Sequence, residues 1–187
     1  MRTFIAIDIP GDIKRAVGDY TEVLSGIVDG VKWVSPDNLH LTMKFLGEVS
    51  EDRLDAVKQC VGNVAGGCSP FMVELAHMGV FPDPHEPRVI WIGVDNGLDQ
   101  LLEMYQDLED CLESIGLDRD EKTFSPHLTI GRVKRHTRIG LPTGIPEFDE
   151  VSFEADRLSV IRSTLTPSGP IYETLHESAF PQYSYHE

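Results

Sequence analysis

The chain has 187 residues, with 31 acidic against 16 basic side chains, a formal net charge of −15, and 41% hydrophobic residues. These figures suit one domain, or two small lobes sharing a core, and exclude extensive disorder. No apolar run approaches the ~18 residues that span a bilayer, and so large an excess of acid runs against a generally basic nucleic-acid surface.

In chain order, Arg2–Ile9 alternates apolar and polar residues and predicts a strand. Asp8 arrives too early for a signal peptide, so a cytoplasmic location without membrane attachment is expected. Pro10 opens a helix whose stripe is Ile13, Val17, Tyr20, Val23, Leu24 and Ile27. A short strand over Val31–Val34 is followed by the turn Ser35-Pro36-Asp37-Asn38, then by a strand over Leu39–Leu46 that Gly47 stops. Ser50 caps a second helix, with Glu51 and Asp52 in its first turn, which stops at Gly66-Gly67. Phe71–Leu75 predicts a strand, Met78–Arg88 an irregular proline-rich connection, and Val89–Val94 a central strand. Leu98, Leu101, Tyr105, Leu108, Leu112 and Ile115 mark the clearest helix, ended by Gly116. His127–Val133, Val151–Phe153, Arg157–Arg162 and Ile171–Leu175 complete the strands, and a frayed tail is expected from Pro181.

The order strand–helix–strand–strand–helix is read twice, with no linker between the halves. The expected fold is therefore α+β: residues 1–187 as a single bilobal domain, two pseudo-symmetric lobes of antiparallel sheet with helices outside and a central cleft. Cys60, Cys68 and Cys111 are odd in number and form no C-x-x-C pair, which argues against a disulfide framework or a zinc knuckle and for a reducing compartment. Cys60 and Cys111 fall on apolar helix faces as small core residues.

The tripeptide His-Leu-Thr occurs twice, as His40-Leu41-Thr42 and His127-Leu128-Thr129, each in a predicted strand. Residues i and i+2 of a strand share a face, so each copy presents an imidazole beside a hydroxyl, while Leu39, Leu41 and Met43, or Leu128 and Ile130, face the other way. A duplicated unit can repeat a motif for packing alone. His and Thr are poor choices for that, because buried polar groups need partners. Two such pairs across a cleft make an acid–base site for a small anion. From Lys122 to Pro146 there is no acidic residue, while Lys122, Arg132, Lys134, Arg135 and Arg138 add five positive charges beside the second motif.

The segments from Trp33 to Val49 and from Phe124 to Val133 closely resemble the two-histidine phosphoesterases, in particular the RNA 2′,3′-cyclic phosphodiesterases, also called 2′-5′ RNA ligase-like proteins. Arg2–Ile7, Arg88–Val94 and Ser163–Tyr172 extend the resemblance over essentially the whole chain. It implies a bilobal fold and a metal-independent enzyme that hydrolyses RNA-terminal 2′,3′-cyclic phosphate to a 2′-phosphate. His40 and His127 are then the catalytic acid–base pair, with the sequence not assigning which is acid and which is base, and Thr42 and Thr129 hold the phosphate.

The residue types suit that chemistry. Imidazole, with an ordinary pKa near ~6.5, gives or takes a proton near neutrality, and two of them match the two opposed oxygens of an in-line displacement. Arg132 can add donors to the phosphate, but it lies an odd number of positions after His127 and needs a bulge to reach the same face, for which Gly131 is suited. Phe45, Trp33 and Phe81 are candidates to stack on a base, and Lys134 and Arg135 to touch RNA. Ser163 and Tyr172 match family positions and are read as structural. Neither motif supplies a second metal ligand and H-E-x-x-H is absent, so no metal and no cofactor are expected. His77, His85, His136, His176 and His186 are expected at the surface without partners. RNA 3′ ends, tRNA fragments among them, or nucleoside 2′,3′-cyclic phosphates are the expected partners, with no obligate protein partner. The competing readings are a 2′-5′ RNA ligase working by reversal of the cyclic-phosphate chemistry, and a non-catalytic nucleotide- or RNA-end-binding module.

Overall fold

Alternation decides the first strand, β1 (Arg2–Asp8): Thr3, Ile5 and Ile7 are buried on one face, while Phe4 and Ala6 on the other form a second small cluster with Ile161. The computed structural model describes residues 1–182. After β1 come α1 (Gly11–Ser25), β2 (Val31–Trp33), β3 (His40–Glu48), α2 (Glu51–Gly66), β4 (Phe71–Phe81) and β5 (Val89–Asn96). Then follow α3 (Leu98–Ser114), β6 (His127–Val133), β7 (Val151–Ala155), β8 (Arg157–Thr166) and β9 (Gly169–Ala179). Pro181 and Gln182 carry no regular structure, and the rest of the expected tail, with His186, lies outside the described residues.

The strands form two antiparallel sheets, ordered β3-β1-β8-β9 and β2-β6-β5-β4-β7. Setting β2 aside, the sheets correspond strand for strand: β3 with β6, β1 with β5, β8 with β4, β9 with β7. Each motif strand thus occupies the same place in its sheet. The symmetry lies in sheet order and not in chain order, which differs from the expected repetition: the second half runs β4-β5-α3-β6-β7-β8-β9. Two later strands, β8 and β9, complete the first sheet, and β2 from the first half joins the second.

Apolar stripes seat the helices. Ile13, Val17, Tyr20 and Leu24 of α1, Val57, Val61 and Val64 of α2, and Leu101, Leu108 and Leu112 of α3 are all buried in the main core. Strand β4 continues through Met78–Phe81, a stretch expected to be irregular, because Met78, Gly79, Val80 and Phe81 pair with Ile92 down to Val89 and the prolines begin only at Pro82. The cysteines also depart from expectation: Cys60 of α2 and Cys111 of α3 form a disulfide, and Cys68 is free. Both cysteines face the α2–α3 contact, a helix pairing that spacing along the chain does not reveal.

One charged network lies beneath the first motif strand. Lys44 of β3 is 3% exposed and makes an ion pair with Glu109 of α3, equally buried. Its Nζ also donates to the Asp118 carbonyl and to Asp120 Oδ1, both at 3.1 Å. Asp120 is held in turn by the Tyr105 hydroxyl at 3.0 Å, and its backbone N–H donates to Glu109 Oε2 at 2.9 Å. The network joins the strand bearing His40 to the loop leading into His127. Removing one member of such a buried pair strands the other, at a cost of about 3–5 kcal/mol. Urea unfolding of Lys44→Met should show a loss of that order, and Lys44→Met with Glu109→Leu should recover most of it. An unfolding midpoint unchanged in Lys44→Met would mean that the pair contributes nothing.

Candidate active site

The face on which each motif points follows from register. His40 opposes Asp8 and Thr42 opposes Ala6 across β1, while His127 opposes Gly93 and Thr129 opposes Trp91 across β5. Directly opposed residues share a face. Leu41 and Met43, like Leu128 and Ile130, are buried on the reverse side. Each strand is then interrupted at the same point. Ala6 pairs with Thr42 but Ile5 with Lys44, leaving Met43 as an extra residue; Trp91 pairs with Thr129 but Ile90 with Gly131, leaving Ile130. These are β-bulges, and they return the side chain two places further on to the motif face. Phe45 therefore lies opposite Phe4, and Arg132 opposite Val89, on the same faces as the histidines.

The imidazoles are oriented alike. His40 Nδ1 lies 3.2 Å from the carbonyl of Asn38, and His127 Nδ1 lies 2.7 Å from the carbonyl of Ser125, each two residues upstream. A carbonyl oxygen only accepts, so Nδ1 carries the proton in both neutral rings and Nε2 is left with its lone pair. His40 Nε2 is 3.8 Å from Asp8 Oδ1, and Asp8 accepts a hydrogen bond from Ser159 at 2.9 Å. Phe4 and Tyr172 stand edge-on to His40 at 6.0 and 5.5 Å; Phe81 and Trp91 do the same for His127 at 5.1 and 6.4 Å. Burial pushes the His40 pKa below its ordinary value, against the opposing pull of the Asn38 carbonyl. The Thr42 and Thr129 hydroxyls and the Arg132 guanidinium have no side-chain partner among the described residues.

The two walls meet. Strands β3 and β6 are in contact, and Tyr172 senses both sides. Burial raises its phenol pKa, and the positive charges of Arg132, from the second motif strand, and of Arg2 draw it back. The side chain packed on His40 is thus within electrostatic reach of Arg132. Lys134 and Arg135 lie exposed just past Arg132. Trp33 does not join them: its ring covers Gly131 on the reverse side of the sheet, among partly buried core residues, where a base stacked in the cleft does not reach. Phe45 is 61% exposed and Phe81 half-buried.

Two further histidines depart from expectation. His77 Nδ1 lies 3.2 Å from Asp95, with its ring over Gly93, and His176 Nε2 lies 2.9 Å from the Ser178 hydroxyl. Asp8, Phe4 and Trp91 were not singled out by motif reading. The alternation of β1 places Asp8 on a face with Phe4 and Ala6, but only the register puts it opposite His40.

A family model described as LigT like Phosphoesterase matches residues 7–91 and again residues 92–172. The chain belongs to this family. Each matched stretch of the LigT-like fold holds one His-x-Thr strand. Among its relatives is a protein of Methanocaldococcus jannaschii named RNA 2′,3′-cyclic phosphodiesterase, 39% identical over 95% of this chain and 99% of its own length. Another of the same name, from Thermotoga maritima, is 38% identical over 96% of each. Among solved structures, TT0787 of Thermus thermophilus superposes with a TM-score of 0.81 at 27% identity, covering 96% of this chain and 98% of its own. Apo LigT of E. coli gives 0.79 at 25%, covering 97% and 98%.

In this LigT-like site, titration of His40 followed by two-dimensional NMR should have its midpoint below the ordinary 6.5. The unfolded chain then binds that proton more readily, so the contribution to stability is present above 6.5 and is lost as pH falls through 6.5 toward the folded value. His40→Gln should remove this part of the pH dependence, and a midpoint at or above 6.5 would contradict the assignment.

Proposed function

We propose that the protein hydrolyses the 2′,3′-cyclic phosphate at an RNA 3′ end to a 2′-phosphate, with His40 and His127 as its acid–base pair. The observation that carries this is the matched orientation of the rings: both Nδ1 atoms are committed to main-chain carbonyls, which leaves both Nε2 atoms for proton transfer, that of His40 with Asp8 Oδ1 3.8 Å away. The name shared by the relatives points to the same substrate.

Water attacks phosphorus in line with the departing 3′-oxygen. His40, whose neutral form burial favours, takes the proton of the water, and protonated His127 delivers one to the leaving oxygen. Thr42 and Thr129 donate to the non-bridging oxygens without bringing a negative charge, and Arg132 adds its planar fork of donors. Phe45, beside Phe4, offers an exposed aromatic face to the terminal base, and Lys134 and Arg135 extend the positive surface along the RNA. Nothing in this sequence of steps calls on a metal or a cofactor. Nucleoside 2′,3′-cyclic phosphates and the ends of tRNA fragments meet the same requirements. Residues 1–187 act as one bilobal unit in this reading, since β2, β8 and β9 each complete the sheet of the opposite half. No helix among the described residues is long and apolar enough to cross a membrane, in keeping with a cytoplasmic site of action.

Each proton transfer is worth roughly 10²–10⁴-fold. His40→Ala and His127→Ala should each reduce turnover by at least ~100-fold while the protein stays folded, with phosphorus NMR of an oligonucleotide ending in 2′,3′-cyclic phosphate as the readout. Full activity in either variant would overturn the proposal. Tight phosphate binding without turnover in the unaltered protein would leave the binding-module reading standing.

A further inference from the structure

The cleft is electrically polar along its length. At the histidine end lie Asp8, paired with His40, and Asp95, which groups with Glu74 and Glu150. At the other end lie Lys32, level with Arg132, and Arg2, beyond Phe45 and across from Glu48, whose carboxylate pairs with the N-terminal ammonium. Lys32 is the register partner of Arg132 across β2 and β6. Arg2 continues the motif face of β1, two residues beyond Phe4, and its charge is felt at Tyr172 together with that of Arg132. Lys32 Nζ reaches the turn between β8 and β9, 3.6 Å from where a Cβ on Gly169 would stand, so it leans over the strand that carries Tyr172. Arg2 and Lys32 are exposed, and neither has a carboxylate within 4.0 Å among the described residues. In a chain with 31 acidic side chains against 16 basic ones, two exposed cations on the motif faces of the two sheets, neither in an ion pair among the described residues, are placed to meet an anion from outside.

We propose that Arg2 and Lys32 bind the phosphodiester on the 5′ side of the terminal nucleotide, so that the RNA chain leaves the cleft past Arg132 and away from Asp95. The proposal rests on the reaction assigned above and adds the direction and reach of the bound strand. Two strand residues span about 6.4–6.8 Å, on the order of one nucleotide step from the Phe4–Phe45 row to Arg2. The acidic end repels a second phosphate, which leaves the basic end as the exit.

The test compares two substrates, a nucleoside 2′,3′-cyclic phosphate and a short oligoribonucleotide with the same terminus, on the full chain. The double variant Arg2→Gln/Lys32→Gln should raise KM for the oligonucleotide at least about fivefold at moderate salt, with kcat unchanged. KM for the mononucleotide should not move. The dependence of log KM on log salt should flatten by about 0.7 for the oligonucleotide, the value for one phosphate of a single strand. Lys58→Gln, on α2, serves as the charge control. Equal KM changes for both substrates, or none for either, would overturn the inference while leaving the proposed reaction intact. Failure of the unaltered protein to turn over either substrate would overturn the reaction itself.

Discussion

A bulge one residue after each motif threonine is the constraint on which the rest of the cleft depends. Without the extra Met43 and Ile130, strict alternation would turn Lys44 and Gly131 toward the substrate and bury Phe45 and Arg132. With it, both residues of each bulge go inward. On the first strand these are Met43 and Lys44; on the second, Ile130 and Gly131, where a Cβ at 131 would come within 2.8 Å of Val31 and 2.9 Å of Trp33. The glycine is thus required by close packing, and the inward lysine by the carboxylates waiting for it.

That inward lysine ties the first motif strand to the helix behind it and to the segment that leads toward the second. A cleft between lobes is a place where apolar contact is given up, so something else must resist hinge motion. Lys44 reaches from β3 to Glu109 on α3 and to Asp118 and Asp120, seven to nine residues before His127. The Cys60–Cys111 bond joins α2, which packs on β8 and β9, to the same α3. Both ties brace the helix side of the first sheet, whose strands β3, β8 and β9 the two helices contact, and leave the motif face open. Buried charges are costly to desolvate and are seldom justified by stability alone; here the pair anchors the first motif strand to α3.

What was legible in the sequence was whatever depends on neighbours along the chain. The strand bearing His127 runs from His127 to Val133 as read, because it alternates and is bounded by Pro126. Helix α3 spans Leu98–Ser114, within the apolar stripe and its closing Gly116. The need for a bulge before Arg132 follows from parity once a phosphate contact is expected of it; Phe45 has the same parity relative to His40, but an aromatic residue suits either face of a strand and so does not signal the bulge. Pairings between distant segments stayed hidden. Nothing local says that Asp8 opposes His40, that Cys60 faces Cys111, or that β8 and β9 return to the first sheet. Proline content also misled: Pro82, Pro84 and Pro87 drew the whole of Met78–Arg88 toward an irregular reading, although a strand can run up to the first of them.

The duplication gives symmetry, and the differences between the copies give direction. Two equivalent strands supply equivalent imidazoles, hydroxyls and bulges, as a reaction with two opposed oxygens requires. A nucleotide has no such symmetry: it is aromatic at one extremity and anionic along its chain. At equivalent positions after the bulge, one copy has Phe45 and the other Arg132, and across the neighbouring strand Phe4 stands beside the first and Val89 beside the second. The net charge of −15 does not oppose this. At physiological ionic strength a surface charge is screened beyond about 8 Å, so an incoming phosphate responds to the few cations at the mouth and hardly at all to carboxylates on the far side. Global acidity and local recognition of an anion are therefore compatible, provided the cations are kept free of internal partners where the phosphate must pass.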